Sequence, residues 1–333
     1  MMNIGLVGYG YWGPNIARNI IYNSGFKLAC ICDHDQNRLE LAHKHYPFIP
    51  KLSNIDDLIS NPEIDCIVIA TNPTSHYTIA LNALKNHKHV LVEKPLSTSL
   101  SEINSLEQIA NEQDLTLMVD HTFLYNGVVQ EMKSLIDNHE IGNIKYIDTT
   151  RINLGIFQND VNVLWDLATH DLSIVNYLLQ KMPKSIIATG KCHIKAGIQN
   201  IAYLNLMYDD DTIVHVHSSW MSPVKIRLML IGGDKKMMVY NDIEPTEKLK
   251  VYDTGLSFDS NDKDQILVDY RVGDVNIPKY STKEPLASMI QDFEKSIVQK
   301  TKPISGIESA KQIVKILSAA QTSLDMNGKE ILI

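Results

Sequence analysis

The sequence predicts an α/β chain of two domains: a parallel sheet in residues 1–122, then an α+β domain with a mostly antiparallel sheet in residues 123–333. Three observations carry this. Short apolar runs alternate with helical stretches as far as Tyr125, the pattern of βαβ units. Beyond Tyr125 strands follow one another directly, and several alternate apolar with polar residues, as in Thr212-Ile-Val-His-Val-His-Ser218. The length of 333 residues also exceeds what one hydrophobic core usually organises.

The elements follow in order. Asn3–Val7, Phe26–Cys32, Ile64–Ala70, His89–Glu93 and Leu115–Val119 read as strands. They are short and nearly continuous in Val, Ile and Leu, as expected where helices cover both faces of a sheet. Helical patterns lie between them at Pro14–Tyr22, Asn37–His45, Ile55–Ser60, Ser75–Asn86 and Ser101–Gln113. In the second domain Val128–Asn138 reads as a helix, Ile144–Asn153 as a strand and Leu164–Leu179 as a second helix. Strands at Ser185–Cys192, Ile201–Tyr208, Thr212–Trp220, Ile226–Ile231 and Lys236–Tyr240 then come in succession. Ser257–Lys283 is polar and irregular, a loop or weak strand, and helices Leu286–Lys300 and Glu308–Met326 close the chain.

Composition narrows the function. Hydrophobic residues make up 44% and charged residues 21%, which is globular and not disordered. Lys and Arg total 31 against 39 Asp and Glu, a net charge of -8, so neither nucleic acid nor an anionic membrane surface is an expected partner. No apolar run reaches the ~18 residues of a spanning helix. The first apolar stretch, Ile4–Val7, follows no basic segment and runs into glycines, unlike a signal peptide. Cys30, Cys32, Cys66 and Cys192 form no metal or redox spacing, so the expectation is a reduced, cytoplasmic protein with no metal site.

The strongest local signal is Gly8-Tyr-Gly10-Tyr11-Trp12-Gly13, directly after the first strand and opening a helix. Gly8 permits the tight turn, Gly10 a close backbone approach to a pyrophosphate, and Gly13 close packing of helix on strand. Pro14 suits the first helical position, where its missing N–H costs little. The helix N-terminus offers unpaired N–H groups to phosphates. Asp33 ends the second strand, 20 residues after Gly13. A carboxylate there accepts hydrogen bonds from the ribose hydroxyls of NAD and repels a 2′-phosphate. The plainer alternative is a glycine turn and a helix-capping aspartate. Thr71-Asn72-Pro73 and Glu93-Lys94-Pro95 also stand at carboxyl ends of strands, where open α/β sheets bind ligands.

Taken together, the glycine turn, Ala70-Thr71-Asn72-Pro73-x-x-His76, His89-Val-Leu-Val-Glu93-Lys94-Pro95, Asp166-Leu-Ala-Thr-His170-Asp171 and Ile231-Gly-Gly233 resemble the glucose–fructose oxidoreductase and inositol dehydrogenase family, Gfo/Idh/MocA. The resemblance spans essentially the whole chain. The segments Asn153–Asp166 and Ser222–Arg227 further resemble members of bacterial surface-polysaccharide pathways, whose substrates are nucleotide sugars. It implies a Rossmann domain, a second domain with an open sheet whose exposed face makes subunit contacts in a homodimer or homotetramer, and a cis Lys94–Pro95 bond. It also implies an NAD site drawn from Gly8, Gly10, Tyr11, Trp12, Gly13, Asp33, Thr71, Asn72, Pro73, His76, Glu93 and Lys94.

The chemistry implied is oxidation of a secondary alcohol on a sugar or cyclitol. Asp166 and His170 are i and i+4, so on a helix both project from one face. His170 has the residue type of a general base, with an ordinary pKa near ~6.5. Asp166 orients that ring or binds a neighbouring hydroxyl. Lys94 donates to the reacting oxygen, and sequence leaves the base role open between Lys94 and His170. A helix-face His–Asp pair with no substrate contact is the bland alternative. His121 and Asn126 either line the cleft or pack at the domain junction. Arg151 either meets a diphosphate or pairs with an acid, and Arg227 is equally open. Trp165 either stacks on a sugar or sits in the core. His215 and His217 read as sheet residues. The expected activity is NAD-dependent oxidation of a nucleotide sugar, foremost the 3-hydroxyl of UDP-N-acetylglucosamine or its uronic acid. The alternatives are a free-polyol dehydrogenase, a keto-sugar reductase, an NAD-dependent glycosidase and a non-catalytic NAD-sensing regulator.

Overall fold

The computed structural model describes residues 1–155, 157, 161–253, 255–258, 268–271 and 273–333. Parts of two stretches read above, 156 and 158–160 in Asn153–Asp166 and 259–267 and 272 in Ser257–Lys283, lie outside the described residues. The chain divides into two compact units, Met1–Tyr125 with Lys283–Val314, and Asn126–Thr282 with Lys315–Ile333. The first unit is thus the stretch expected from sequence, extended by residues 123–125 and by a returning segment.

In the first unit the chain runs β1 (Met2–Val7), α1 (Gly13–Tyr22), β2 (Phe26–Cys32), α2 (Gln36–His45), β3 (Lys51–Leu52), α3 (Ile55–Ile59), β4 (Cys66–Ile69), α4 (Pro73–Lys85), β5 (His89–Glu93), α5 (Leu100–Glu112) and β6 (Leu117–Asp120). The sheet order is β3-β2-β1-β4-β5-β6 and every pairing is parallel. Ile4, Leu6, Ile31, Ile67, Ile69, Val90 and Val92 are enclosed on both faces, which is why these strands read as continuous apolar runs. Burying each such side chain contributes ~1.5–3 kcal/mol. Strand order reverses between β1 and β4, so the carboxyl ends of these two strands form the topological switch point, where such sheets bind ligands. Two-residue β3, which follows Pro50, is too short to leave a periodic signal and was not expected.

The returning segment completes this unit. The Phe293 ring lies 5.7 Å from that of Phe26. Arg18 makes a two-pronged ion pair with Glu284, at 2.9 and 2.7 Å. The Val119 N–H donates to the Ser305 carbonyl at 2.9 Å.

The second unit holds α6 (Gly127–Asp137), β7 (Ile144–Leu154), a π-helical turn at Leu164–Ala168, α7 (Thr169–Leu179), β8 (Ser185–Lys191), β9 (Ile201–Met207), β10 (Ile213–Ser219), β11 (Met221–Gly233), β12 (Met237–Asn241), β13 (Leu249–Tyr252), β14 (Gly255–Phe258), β15 (Val268–Arg271) and β16 (Val275–Asn276). After α8 (Pro285–Gln299) and α9 (Ile307–Asp325) in the chain, β17 (Ile331–Leu332) adds an edge strand. The sheet order is β16-β13-β12-β11-β7-β10-β9-β8-β17, antiparallel except where β7 and β10 pair in parallel. Strand β10 alternates as its sequence does: Val214, Val216 and Ser218 are enclosed, while His217 on the other face stacks on Tyr203 at 4.5 Å between ring centroids. Strand β11 begins five residues earlier than Ile226 because its pairing with β7 breaks register between Met221 and Ile226, a stretch containing Pro223. The helix expected at Leu164–Leu179 divides, its first five residues taking the wider π geometry.

Candidate functional site

The glycine turn leaves β1 with Gly8 at φ 96°, and a Cβ there would stand 2.5 Å from the Ala70 carbonyl oxygen. A Cβ on Gly13 would stand 2.6 Å from the Gly8 carbonyl oxygen, so the close helix–strand approach is real. Gly10 differs: a Cβ there would meet only the Arg38 guanidinium, at 3.7 Å. Its backbone faces open space beside the head of α1. That head has no side-chain cap and no acid in its first turn, a setting suited to phosphate. Tyr11 and Trp12 lie at the surface, edge to face at 5.4 Å, while Tyr9 is buried.

Asp33 follows β2 with its carboxylate almost wholly enclosed. Oδ2 accepts from the Tyr9 N–H at 2.7 Å, and Oδ1 from the Asp35 N–H at 3.0 Å. Arg38 lies 3.6 Å from Oδ2 and His34 lies 3.4 Å from Oδ1. The aspartate therefore braces the turn itself, and the helix-capping role belongs to Asp35, which accepts from the Asn37 N–H. These residues fit an NAD. Gly10 and the head of α1 would face its phosphates, and Asp33 carries the carboxylate that a ribose needs.

The loops after β4 and β5 are tied together by His76. It is fully buried, with one ring nitrogen 2.8 Å from the Pro95 oxygen and the other 3.0 Å from the Thr71 oxygen. Burial lowers its pKa against the pull of these two carbonyls. Pro73 opens α4 and Asn72 precedes it as the cap residue, while Thr71 bonds Ser75 at 2.8 Å between hydroxyls. The Lys94–Pro95 peptide bond is cis.

Glu93 and Asp120 are register partners on β5 and β6. Their carboxyl groups share a hydrogen bond. Asp120 also accepts from the N–H and the hydroxyl of Thr122. Desolvation, then the Asp120 charge, holds Glu93 well above the usual carboxylate range, with the Lys94 charge opposing them. Desolvation also raises Asp120. Burial and the neighbouring carboxylate thus both work against ionising the two groups together. His121 follows, 2% exposed, and neither ring nitrogen has a hydrogen-bond partner among the described residues. Desolvation, then the Lys94 charge, pushes its pKa down to about 3.

In the second unit Asp166 stands in the π turn and His170 is the second residue of α7. Both are partly exposed, whereas Asn162 to Trp165 and Ala168 to Thr169 are buried. Asn162 stands two residues before the turn's first residue, its side-chain oxygen accepting from the Leu164 N–H at 3.1 Å. The Trp220 Nε1–H donates to Asp166 Oδ2 at 2.9 Å. One residue beyond His170, Asp171 is locked in a buried two-pronged pair with Arg151, from Nε at 2.9 Å and Nη2 at 2.8 Å.

Arg151 therefore takes the acid-pairing option, and Arg227 does likewise with Asp242 at 3.1 Å. Trp165 is buried. Asn126 caps α6 by accepting from the Val128 N–H at 2.9 Å. Among the described residues no three His, Cys, Asp or Glu side chains group to hold a metal ion, and no helix is long and apolar enough to cross a membrane. Sequence reasoning missed Asp120 and Trp220. Asp120 had the same signal that marked Glu93, a carboxylate ending an apolar strand. Trp220 had none beyond its place at a strand end.

A family model described as an oxidoreductase family with an NAD-binding Rossmann fold matches residues 2–121, and the Gfo/Idh/MocA C-terminal domain matches residues 129–239. The 2,7-anhydro-N-acetylneuraminate hydratase of Escherichia coli K12 is 28% identical over 57% of this chain and 53% of its own length. The chain thus spans about half the length of the first curated relatives it matches, at 53% for each of the two. The myo-inositol 2-dehydrogenase of Thermotoga maritima is 22% identical over 72% of each chain. A crystal structure of an oxidoreductase from Magnetospirillum magnetotacticum superimposes with TM-score 0.81 at 26% identity, over 96% of this chain and 99% of the other.

Proposed function

This chain belongs to the Gfo/Idh/MocA family of oxidoreductases, and from that premise we propose that it oxidises a secondary ring hydroxyl of a sugar with NAD. A nucleotide sugar is the first candidate, at the 3-hydroxyl of UDP-N-acetylglucosamine or its uronic acid. The setting of Lys94 supports the reading most. It follows β5 on the sheet edge that also carries the glycine turn, beside Glu93, Asp120 and His121. A dehydrogenase of a cyclitol hydroxyl among the relatives supports the reaction class. The nucleotide-sugar choice rests on the resemblance of Asn153–Asp166 and Ser222–Arg227. The family resemblance supports a homodimer or homotetramer, and the cysteine pattern a cytoplasmic location.

Bound NAD supplies the hydride acceptor. Gly10 and the head of α1 would hold its phosphates, Gly8 and Gly13 shape the turn that presents them, and Asp33 would meet its ribose. By the family resemblance His170, or Lys94 in its place, would take the hydroxyl proton as the carbinol hydrogen leaves with its electron pair, so that the alcohol becomes a ketone. The Lys94 ammonium donates to the reacting oxygen and stabilises the negative charge that develops there. Asp166 orients the His170 ring or a neighbouring hydroxyl.

The test mixes protein, NAD and a panel of nucleotide sugars and follows absorbance of the reduced cofactor. Turnover of UDP-N-acetylglucosamine or its uronic acid is expected, falling ~10²–10⁴-fold in His170→Ala with NAD binding retained. Turnover of free inositol or glucose alone rejects the nucleotide sugar. Full turnover in His170→Ala removes that residue from the base role. A second reading, a reaction with no net redox change, is favoured by the relative named as a hydratase. It would convert substrate without accumulating reduced cofactor.

A further inference from the structure

We propose that Trp220 is a positioning residue for Asp166: its indole N–H fixes the carboxylate in the orientation that the oxidation uses. The inference rests on the reading of Asp166 given above. Trp220 stands between β10 and β11 and is 1% exposed. Its backbone is pinned on both sides, the N–H donating to the Asn200 carbonyl at 3.0 Å and the carbonyl accepting from the Gly155 N–H at 3.2 Å. The Phe157 ring meets the indole edge to face at 5.6 Å. Gly155 presses on it so closely that a Cβ there would stand 2.8 Å from the indole Cδ1.

An indole held this way has almost no rotamer freedom left. It has one polar atom, a donor only, so in a dry interior it must find an acceptor. Asp166 provides it at 2.9 Å. Asp166 lies within the π turn, where backbone geometry departs from the ordinary helix and side-chain direction is not set by the usual stacking of turns. A rigid external donor supplies the constraint that the turn itself does not. A hydrogen bond to a charged carboxylate is short and directional, so it fixes angle as well as distance.

The experiment is a double-mutant cycle with UDP-N-acetylglucosamine and NAD, supported by NMR of the indole N–H groups. Trp220→Phe keeps an aromatic ring and deletes the donor. It is expected to lower kcat ~10–100-fold, the range for a lost hydrogen bond to a charged group, with the KM for NAD unchanged. In an Asp166→Asn background the same change is expected to add little, because the two act as one unit. A silent Trp220→Phe, or an equal drop in both backgrounds, overturns the proposal. If Asp166→Asn alone leaves kcat intact, the role given to Asp166 fails instead, and the proposal with it. The NMR arm covers a Trp220→Phe chain that does not fold. The chain has 3 tryptophans, and one indole N–H resonance is expected to move when Asp166→Asn is made in otherwise intact protein. Three unmoved resonances would overturn the contact.

Discussion

His121 makes this protein's stability depend on pH in a way that one substitution removes. The folded chain holds its imidazole neutral down to about 3, against an ordinary value of 6.5. Between those values the unfolded chain binds a proton that the folded chain refuses. Unfolding therefore takes up a proton, and stability present above the ordinary value is lost as pH falls. Each pH unit in that window changes stability by ~1.4 kcal/mol. Going from about pH 7 to about pH 5, where the unfolded imidazole becomes almost fully charged, costs ~2 kcal/mol from this residue alone. His121→Leu removes the titration at little cost in packing. It also removes two ring nitrogens that have no partner among the described residues, so near pH 7 the variant is expected to be as stable as the parent or more so. The assay is urea unfolding of both proteins at the two pH values. The acid-induced fall in stability should be smaller in the variant by ~2 kcal/mol, on the order of 1 M urea in midpoint. Other histidines of lowered pKa, such as His76 and His89, cancel in the comparison. Equal acid-induced falls in parent and variant would refute the reasoning.

Two further outcomes follow from the geometry. Gly8→Ala should weaken NAD binding, read by fluorescence titration, and cost ~1–3 kcal/mol, because φ of 96° and a carbonyl 2.5 Å from the new Cβ leave it no relaxed position. Asp171→Ala should destabilise the second unit by ~3–5 kcal/mol in thermal or urea unfolding, since it removes the carboxylate that pairs with the buried Arg151 guanidinium.

What could be read from sequence was local, and what could not was paired across distance. The glycine turn and Asp33 were legible because the fingerprint fixes their spacing along the chain. Lys94 was legible because strand ends bind ligands in any parallel sheet. The pairing of Glu93 with Asp120 needed the knowledge that β5 and β6 are neighbours, which only the sheet order supplies. The bond from Trp220 to Asp166 joins residues 54 apart, and no periodicity anticipates it. Arg151 stayed open for the same reason, its partner lying 20 residues on in another element. The π turn was hidden because its apolar residues look helical in either winding.

The first unit is not one stretch of chain, and that has a consequence for how it is made. Phe26, Arg18 and Val119 are translated early, yet they pack on Phe293, Glu284 and Ser305, which leave the ribosome only after the whole of residues 126–282. At ~5–20 residues per second the nascent nucleotide lobe waits roughly 10–30 s with that apolar side uncovered. Gene truncation after the sixth parallel strand would make this delay permanent, so a soluble fragment should instead be sought by fusing Lys283–Val314 back onto the amino-terminal half.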